Sequence, residues 1–239
     1  MSYPVSHSSI RSLLAGGAVF IALSGAAAAA NMSFQQGMLP SESYEGSASA
    51  YIQSGNSSGK VVFLSLKGQF KGSLSLGSNG KDSNRRRVLL SFDLSDLPQG
   101  AVVDTATLTL YASNTDKNSA DASVKIDLVE MTTGFDPQVA TWDTYADSGN
   151  AAVLSSTTAN PGTISKEDGT IVFSSSEALV AALNKALASE SDTVNLMIKL
   201  PDSVEEGGVQ VLFNLWSTYS AGNVSEWRPK LDIDYSVAK

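Results

Sequence analysis

The residues of this chain best suited to gripping a charged partner are three consecutive arginines, Arg85, Arg86 and Arg87, with Lys81 just upstream. Guanidinium groups present rigid forks of N–H donors that match carboxylates and sulfates two bonds at a time. A cluster of them can hold an acidic polysaccharide. The same cluster can instead be a solvated strand start, its charges paired with local acids such as Asp82 and Asp93. A second set lies near the C-terminus. Trp216, Tyr219 and Trp227 offer flat rings for stacking on sugars, and Arg228 and Lys230 add charge beside them. The alternative there is that Trp227 and Arg228 lock the last strand in place, while Trp142 reads as a large apolar core side chain. A third set is oxygen-rich: Asp143, Asp147, Glu167 and Asp168 could serve a structural calcium, which takes about six to eight oxygens. The spacing of a twelve-residue EF-hand loop is absent, and the ligands stay unassigned.

What the chain lacks narrows the chemistry further. It has no cysteine, and its one histidine is His7. Disulfides, thiolate nucleophiles, histidine-ligated metals and Ser-His-Asp triads are therefore excluded once the first residues are removed. Glycine-rich phosphate loops, His-Glu-x-x-His and Gly-x-Ser-x-Gly are absent too. The reading is a protein that is not an enzyme. A lyase or hydrolase working with Lys, Tyr, Arg or paired carboxylates is the enzymatic class left open. With 16 Lys+Arg against 24 Asp+Glu, the formal charge is −8. That balance argues against general binding of nucleic acid or of anionic membranes.

These side chains need elements to position them. Residues 1–30 carry Arg11, an apolar run from Leu13 to Leu23 and the small residues Ala26 to Ala30. That pattern predicts a secretory signal peptide, giving a secreted or cell-surface protein with no membrane attachment after cleavage. Residues 31–43 are polar and small, and read as a flexible lead-in. From residue 44 to 237 the pattern is one mostly β domain. Val88, Leu90, Phe92 and Leu94 alternate with Arg87, Leu89, Ser91 and Asp93. Further strands are predicted around Ser49 to Gln53, Val61 to Leu66, Gly68 to Gly77, Asp104 to Ser113, Ser123 to Val129 and Ile171 to Phe173. Three more cover Thr193 to Leu200, Val209 to Trp216 and Lys230 to Tyr235. One helix interrupts them: Ser174 and Glu177 stand at capping-box spacing, and Leu179, Val180, Leu183, Ala186 and Leu187 follow at helical intervals. Many short strands and one short helix predict an all-β fold, an antiparallel two-sheet β-sandwich of jelly-roll type.

The run from Asn84 through Leu94 resembles the signature of the DNRLRE domain. This is a secreted β-sandwich module classed with carbohydrate-binding module family 96 and with the repeats of archaeal disaggregatases. The similarity continues through Leu97-Pro98 into the strand Ala101 to Tyr111, then Ala140-Thr141-Trp142-Asp143, and ends with the strand from Trp227-Arg228-Pro229 to Tyr235. It departs from the name motif at Ser83, Arg86 and Val88. The resemblance implies a β-sandwich that binds carbohydrate, and some relatives bind the uronic-acid polymer alginate. The expectation is thus a secreted carbohydrate-binding module for an acidic cell-surface or matrix polysaccharide, with Lys81, Arg85, Arg86, Arg87, Tyr219, Arg228 and Lys230 as contacts. The alternative is a structural or adhesive surface or matrix protein without a specific glycan, open to self-association through its strand edges.

Overall fold

The computed structural model describes residues 28–55, 73–80, 84–116, 118–149, 152–164, 169–220 and 224–237. The leader before Ala28, the expected strand at Val61 to Leu66, Lys81, Asp82, Glu167 and Asp168 lie outside the described residues. Eleven strands carry the fold: β1 (Ala28–Phe34), β2 (Ser47–Gln53), β3 (Ser73–Asn79), β4 (Arg85–Asp93), β5 (Ala101–Asn114), β6 (Val124–Glu130), β7 (Val153–Ala159), β8 (Thr170–Phe173), β9 (Thr193–Lys199), β10 (Gln210–Trp216) and β11 (Lys230–Val237). Three short helices join them: α1 (Trp142–Tyr145), α2 (Glu177–Leu187) and α3 (Asp202–Glu205). The chain is mostly β, as its alternation predicts, with three helices rather than one. No described helix is long and apolar enough to cross a membrane.

Every pairing is antiparallel, and the strands form one hydrogen-bonded path, β1-β11-β5-β10-β3-β4-β9-β6-β7, curled as a half-barrel. Strand β2 joins on β4, and β8 on β5. The path forks at β4. Arg86 pairs with Gln53 of β2 and Gly77 of β3, while Val88 pairs with Tyr51 of β2 and Ile198 of β9. Strands β3 and β9 therefore share the edge opposite β2, and they part between Arg86 and Val88. Gly77 makes the approach possible. Its φ is +127°, and a Cβ there would sit 1.8 Å from the Val211 carbonyl oxygen of β10.

The alternation of β4 sorts its side chains into two clusters. Val88, Leu90 and Phe92 enter the main core with Leu74, Leu108, Phe173, Leu196 and Phe213. Leu89 faces the other way, into a smaller cluster with Ala50, Ile52, Val129, Met131 and Met197, covered by Phe135, Trp142 and Tyr145. A sandwich strand with a wet outer face would leave that side open. Here the loop between β6 and β7 closes it.

Several boundaries moved from their sequence reading. Residues 31–43 begin as strand, since Asn31, Met32, Ser33 and Phe34 pair with Asp234, Ile233, Asp232 and Leu231 of β11, and Phe34 is fully buried. The small residues just before them, Ala28 to Ala30, extend the same strand. Strand β7 lies outside the predicted strands, since Ser155, Ser156, Thr157 and Thr158 give no apolar alternation and Leu154 is its one buried residue. Strand β5 starts before Asp104, where the alternation places its start. Its register against β11 shifts near Asp104, a bulge that turns both Val103 and Ala106 inward. Helix α2 is capped by Ser176, whose Oγ accepts the Leu179 N–H at 3.1 Å, rather than by Ser174.

Candidate functional site

The fork in β4 needs something to hold its two branches, and the arginines perform that work. After β9 ends at Lys199, α3 crosses to β10, which pairs with β3. Helix α3 thus spans from one branch of the fork to the other. Arg87 Nε and Nη2 donate to Glu205 Oε1 and Oε2 of α3 at 3.2 and 2.8 Å, a bidentate pair. Its Nη1 donates to the Ala146 carbonyl at 2.7 Å. Arg87 is 5% exposed and the Glu205 side chain is fully buried. Asp202 stands 3.7 Å from the same guanidinium.

Arg85 lies on the same side of β4 and reaches the next acid, donating from Nη1 to Glu206 Oε1 at 3.0 Å. Both guanidinium groups lie against the Trp142 ring, at 5.2 Å for Arg85 and 4.8 Å for Arg87. Trp142 therefore covers the smaller apolar cluster and receives two cations. Arg86 points to the opposite side, where its Nη1 donates to Ser75 Oγ of β3 at 2.8 Å. The cluster that is contiguous in sequence is thus divided in space. The Arg87 fork is closed by Glu205 and the Ala146 carbonyl, away from solvent. The acids that pair with the arginines are Glu205 and Glu206, about 120 residues downstream, not Asp93, whose Oδ1 accepts the Ser95 N–H.

The second predicted set is also built into the framework. Arg228 donates from Nε and Nη2 to the Ser220 carbonyl, at 3.1 and 2.7 Å, and from Nη1 to the Gln36 carbonyl at 2.5 Å. Its own carbonyl accepts from Gln35 Nε2 at 2.8 Å. Burial lowers its pKa from the ordinary guanidinium value. Gly37, at φ +66°, leaves room for this clasp, since a Cβ would lie 2.9 Å from Nη1. Arg228 therefore ties the end of β1 to the loop after β10 and to the start of β11. Lys230 pairs with Asp232 of its own strand at 3.0 Å. Tyr219 is half-buried, and burial raises its phenol pKa, with the Thr218 side chain opposing.

Trp216 and Trp227 pack on each other with ring centroids 5.8 Å apart and planes at 33°. Both are half-buried. Among the described residues, the buried Trp216 Nε1 has no hydrogen-bond partner. Trp216 shares a side of β10 with Asn214, which pairs with Ser75, the residue that Arg86 contacts. Among the predicted residues, Arg85 and Arg87 share Trp142 as a partner; Arg228 and Lys230 are held elsewhere.

Two hollows show what else the surface offers. One, about 380 Å³, is lined by Ser41, Ser43, Tyr44, Glu45, Asp93 and Asp96, an acidic wall suited to cations rather than to polyanions. Burial, and then the Asp93 charge, push the Tyr44 phenol well above its usual range, and its hydroxyl donates to the Asp93 carbonyl at 3.0 Å. The other, about 560 Å³, lies between the β4–β5 turn and the end of α2 and is largely aliphatic. Among the described residues, no group of three or more His, Cys, Asp or Glu side chains is placed to hold a metal ion.

The partners that sequence reasoning missed are Glu205, Glu206 and Ser75. The signal for the first two was weak: Val204-Glu205-Glu206-Gly207-Gly208 reads as a polar turn between strands. One hint existed. Arg85 and Arg87 share parity with Leu89, and a buried Leu89 requires their side of β4 to be covered. No family model matches the chain, and no curated protein matches it.

Proposed function

We propose that the chain is an exported, non-catalytic β-rich module with a structural or adhesive role at the cell surface or in an extracellular matrix. The two-layer sandwich of a DNRLRE-type module is the arrangement we propose within the curled sheet, with β4 and β5 as the strands where the layers part. The observation that carries the functional reading is the engagement of the predicted contacts in the frame itself. Arg87 is closed by Glu205, Arg228 by backbone carbonyls, Arg85 by Glu206 and Lys230 by Asp232. A surface that grips a polyanion needs its cations turned to water; these four are engaged within the frame.

A second reading, a carbohydrate-binding module for an acidic polysaccharide, is favoured by one observation. Trp216 and Trp227 are half-buried aromatic neighbours on the side of β10 that leads through Asn214 and Ser75 to Arg86. A binding screen on the secreted chain against neutral, uronic and sulfated polymers, at low and moderate salt and with calcium present, separates the two. The structural reading expects no saturable binding. Salt-sensitive binding lost in Arg86→Ala or Trp216→Ala, in variants that melt like the parent, overturns it in favour of the second.

A further inference from the structure

The segment that covers Leu89 is held differently from the main core. Residues 132–149 follow β6, and none of them lies in a strand. They carry α1 and one further tight turn, Ala146–Gly149. Backbone bonds within the segment are short-range: the Val139 N–H donates to the Asp136 carbonyl and the Tyr145 N–H to the Thr141 carbonyl, both at 3.1 Å. The Ala146 N–H donates to the Trp142 carbonyl. The large side chains of the segment, Phe135, Trp142 and Tyr145, are only partly buried against the smaller cluster. Helix α3 is held in a similar way. It has four residues, and the Glu205 N–H turns back to the Pro201 carbonyl at 3.0 Å.

The two pieces meet on one side chain. The Arg87 guanidinium holds both Glu205 carboxylate oxygens through Nε and Nη2, and holds the Ala146 carbonyl through Nη1. It also lies 4.8 Å from the centre of the Trp142 ring. The bidentate pair fixes the plane of the fork, and that plane aims Nη1 at Ala146. Glu205 therefore acts on the cover through Arg87.

We propose that residues 132–149 and α3 form one opening unit, latched by Arg87, that detaches while the main core stays folded. The elements of a fold open with different free energies, lowest where apolar burial is partial and bonds are short-range. Both conditions hold for this unit. In the main core, by contrast, Leu90 and Leu108 are fully buried and paired within the sheet. Because the unit shares one latch, whatever weakens the α3 end loosens the cover, and the reverse holds by the same factor. Opening bares Leu89 and Met197, both fully buried in the closed state. The latch thus governs access to an apolar patch, whichever of the two functional readings holds.

Hydrogen exchange on the whole folded chain, read by NMR at single amides, tests this. In the parent, Tyr145, Ala146 and Glu205 should share one opening constant, at least about tenfold above that of Leu108. Glu205→Gln keeps the side-chain volume but turns one acceptor into a donor facing Arg87. It should raise the opening constant about tenfold at Tyr145 and Ala146. Trp142→Leu alters the other end of the unit and should raise opening several-fold at the Glu205 amide. Phe92→Leu, in the main core, should raise opening at Leu108 and leave the three amides unchanged, since it weakens the closed and opened states alike. Equal opening at Tyr145 and Leu108 in the parent, a comparison that needs no variant, would mean that the cover leaves only with the whole fold, and overturns the proposal. So does a Glu205 amide indifferent to Trp142→Leu, which would make α3 and the cover separate units.

Discussion

The two sides of β4 solve the same problem with different chemistry. On one side Val88, Leu90 and Phe92 meet strands from across the fold, and burial of apolar surface suffices. On the other, Leu89 lies under a cover made mainly of loop, and a loop has no sheet register to hold it. There the chain uses Arg87 to tie the Ala146 carbonyl and Glu205 to β4, with Trp142 against two guanidinium groups. The first side tolerates exchange of one apolar group for another of similar volume. The second depends on particular pairs of atoms.

The largest break in this comparison is on the apolar side. Phe92 is fully buried, and Phe92→Ala should cost about 3–5 kcal/mol through lost burial and the cavity left behind. Urea unfolding measures it, and Phe92→Leu should recover a large part of the loss. A cost below about 1 kcal/mol would mean that the site collapses freely and that the main core is not the close-packed one described.

Arg87→Ala should cost a comparable or slightly smaller amount, about 3 kcal/mol, for a different reason. It leaves the Glu205 carboxylate buried with its bidentate partner gone. The two sides separate in the double variant. Arg87→Met with Glu205→Leu removes both charges at similar volume and should restore most of the stability, since an apolar replacement of a buried pair is often neutral or better. No double change rescues Phe92→Ala in that way. A double-mutant cycle in which the two losses simply add would show that Arg87 and Glu205 do not act as a pair.

How much of this was legible in the sequence follows the same division. Strands whose stability comes from alternation were visible: Val88 to Leu94, Ala106 to Ala112 and the register of Leu231, Ile233 and Tyr235 all follow parity. Helix α2 was visible from Leu179, Leu183 and Ala186 at helical spacing. Elements held by something other than parity were not. Strand β7 buries only Leu154, and β1 is assembled from small residues that also suit a leader. Helices α1 and α3 are four residues each, too short for any period to show. At the site, the arginines were conspicuous, but an ion pair leaves no trace in local pattern when its partner is about 120 residues away. What marks them as framework is the burial of Glu205, a property of the folded chain alone.

The smallest expected effect sharpens the comparison most, because Arg85 and Arg87 share a face and a ring but differ in burial and partners. Both sit on the same side of β4 and both lie against Trp142. Arg85, however, pairs with Glu206, whose side chain is 57% exposed, whereas Glu205 is fully buried. Water screens the outer pair and can solvate Glu206 when its partner is removed, so Arg85→Ala should cost no more than about 1 kcal/mol. That small loss should shrink further at high salt, while the cost of Arg87→Ala should hardly change, since screening does not reach a buried pair. Melting both variants at low and high sodium chloride makes the test. Equal losses with equal salt dependence would mean that Trp142, common to both, carries the stabilisation and the carboxylates do not.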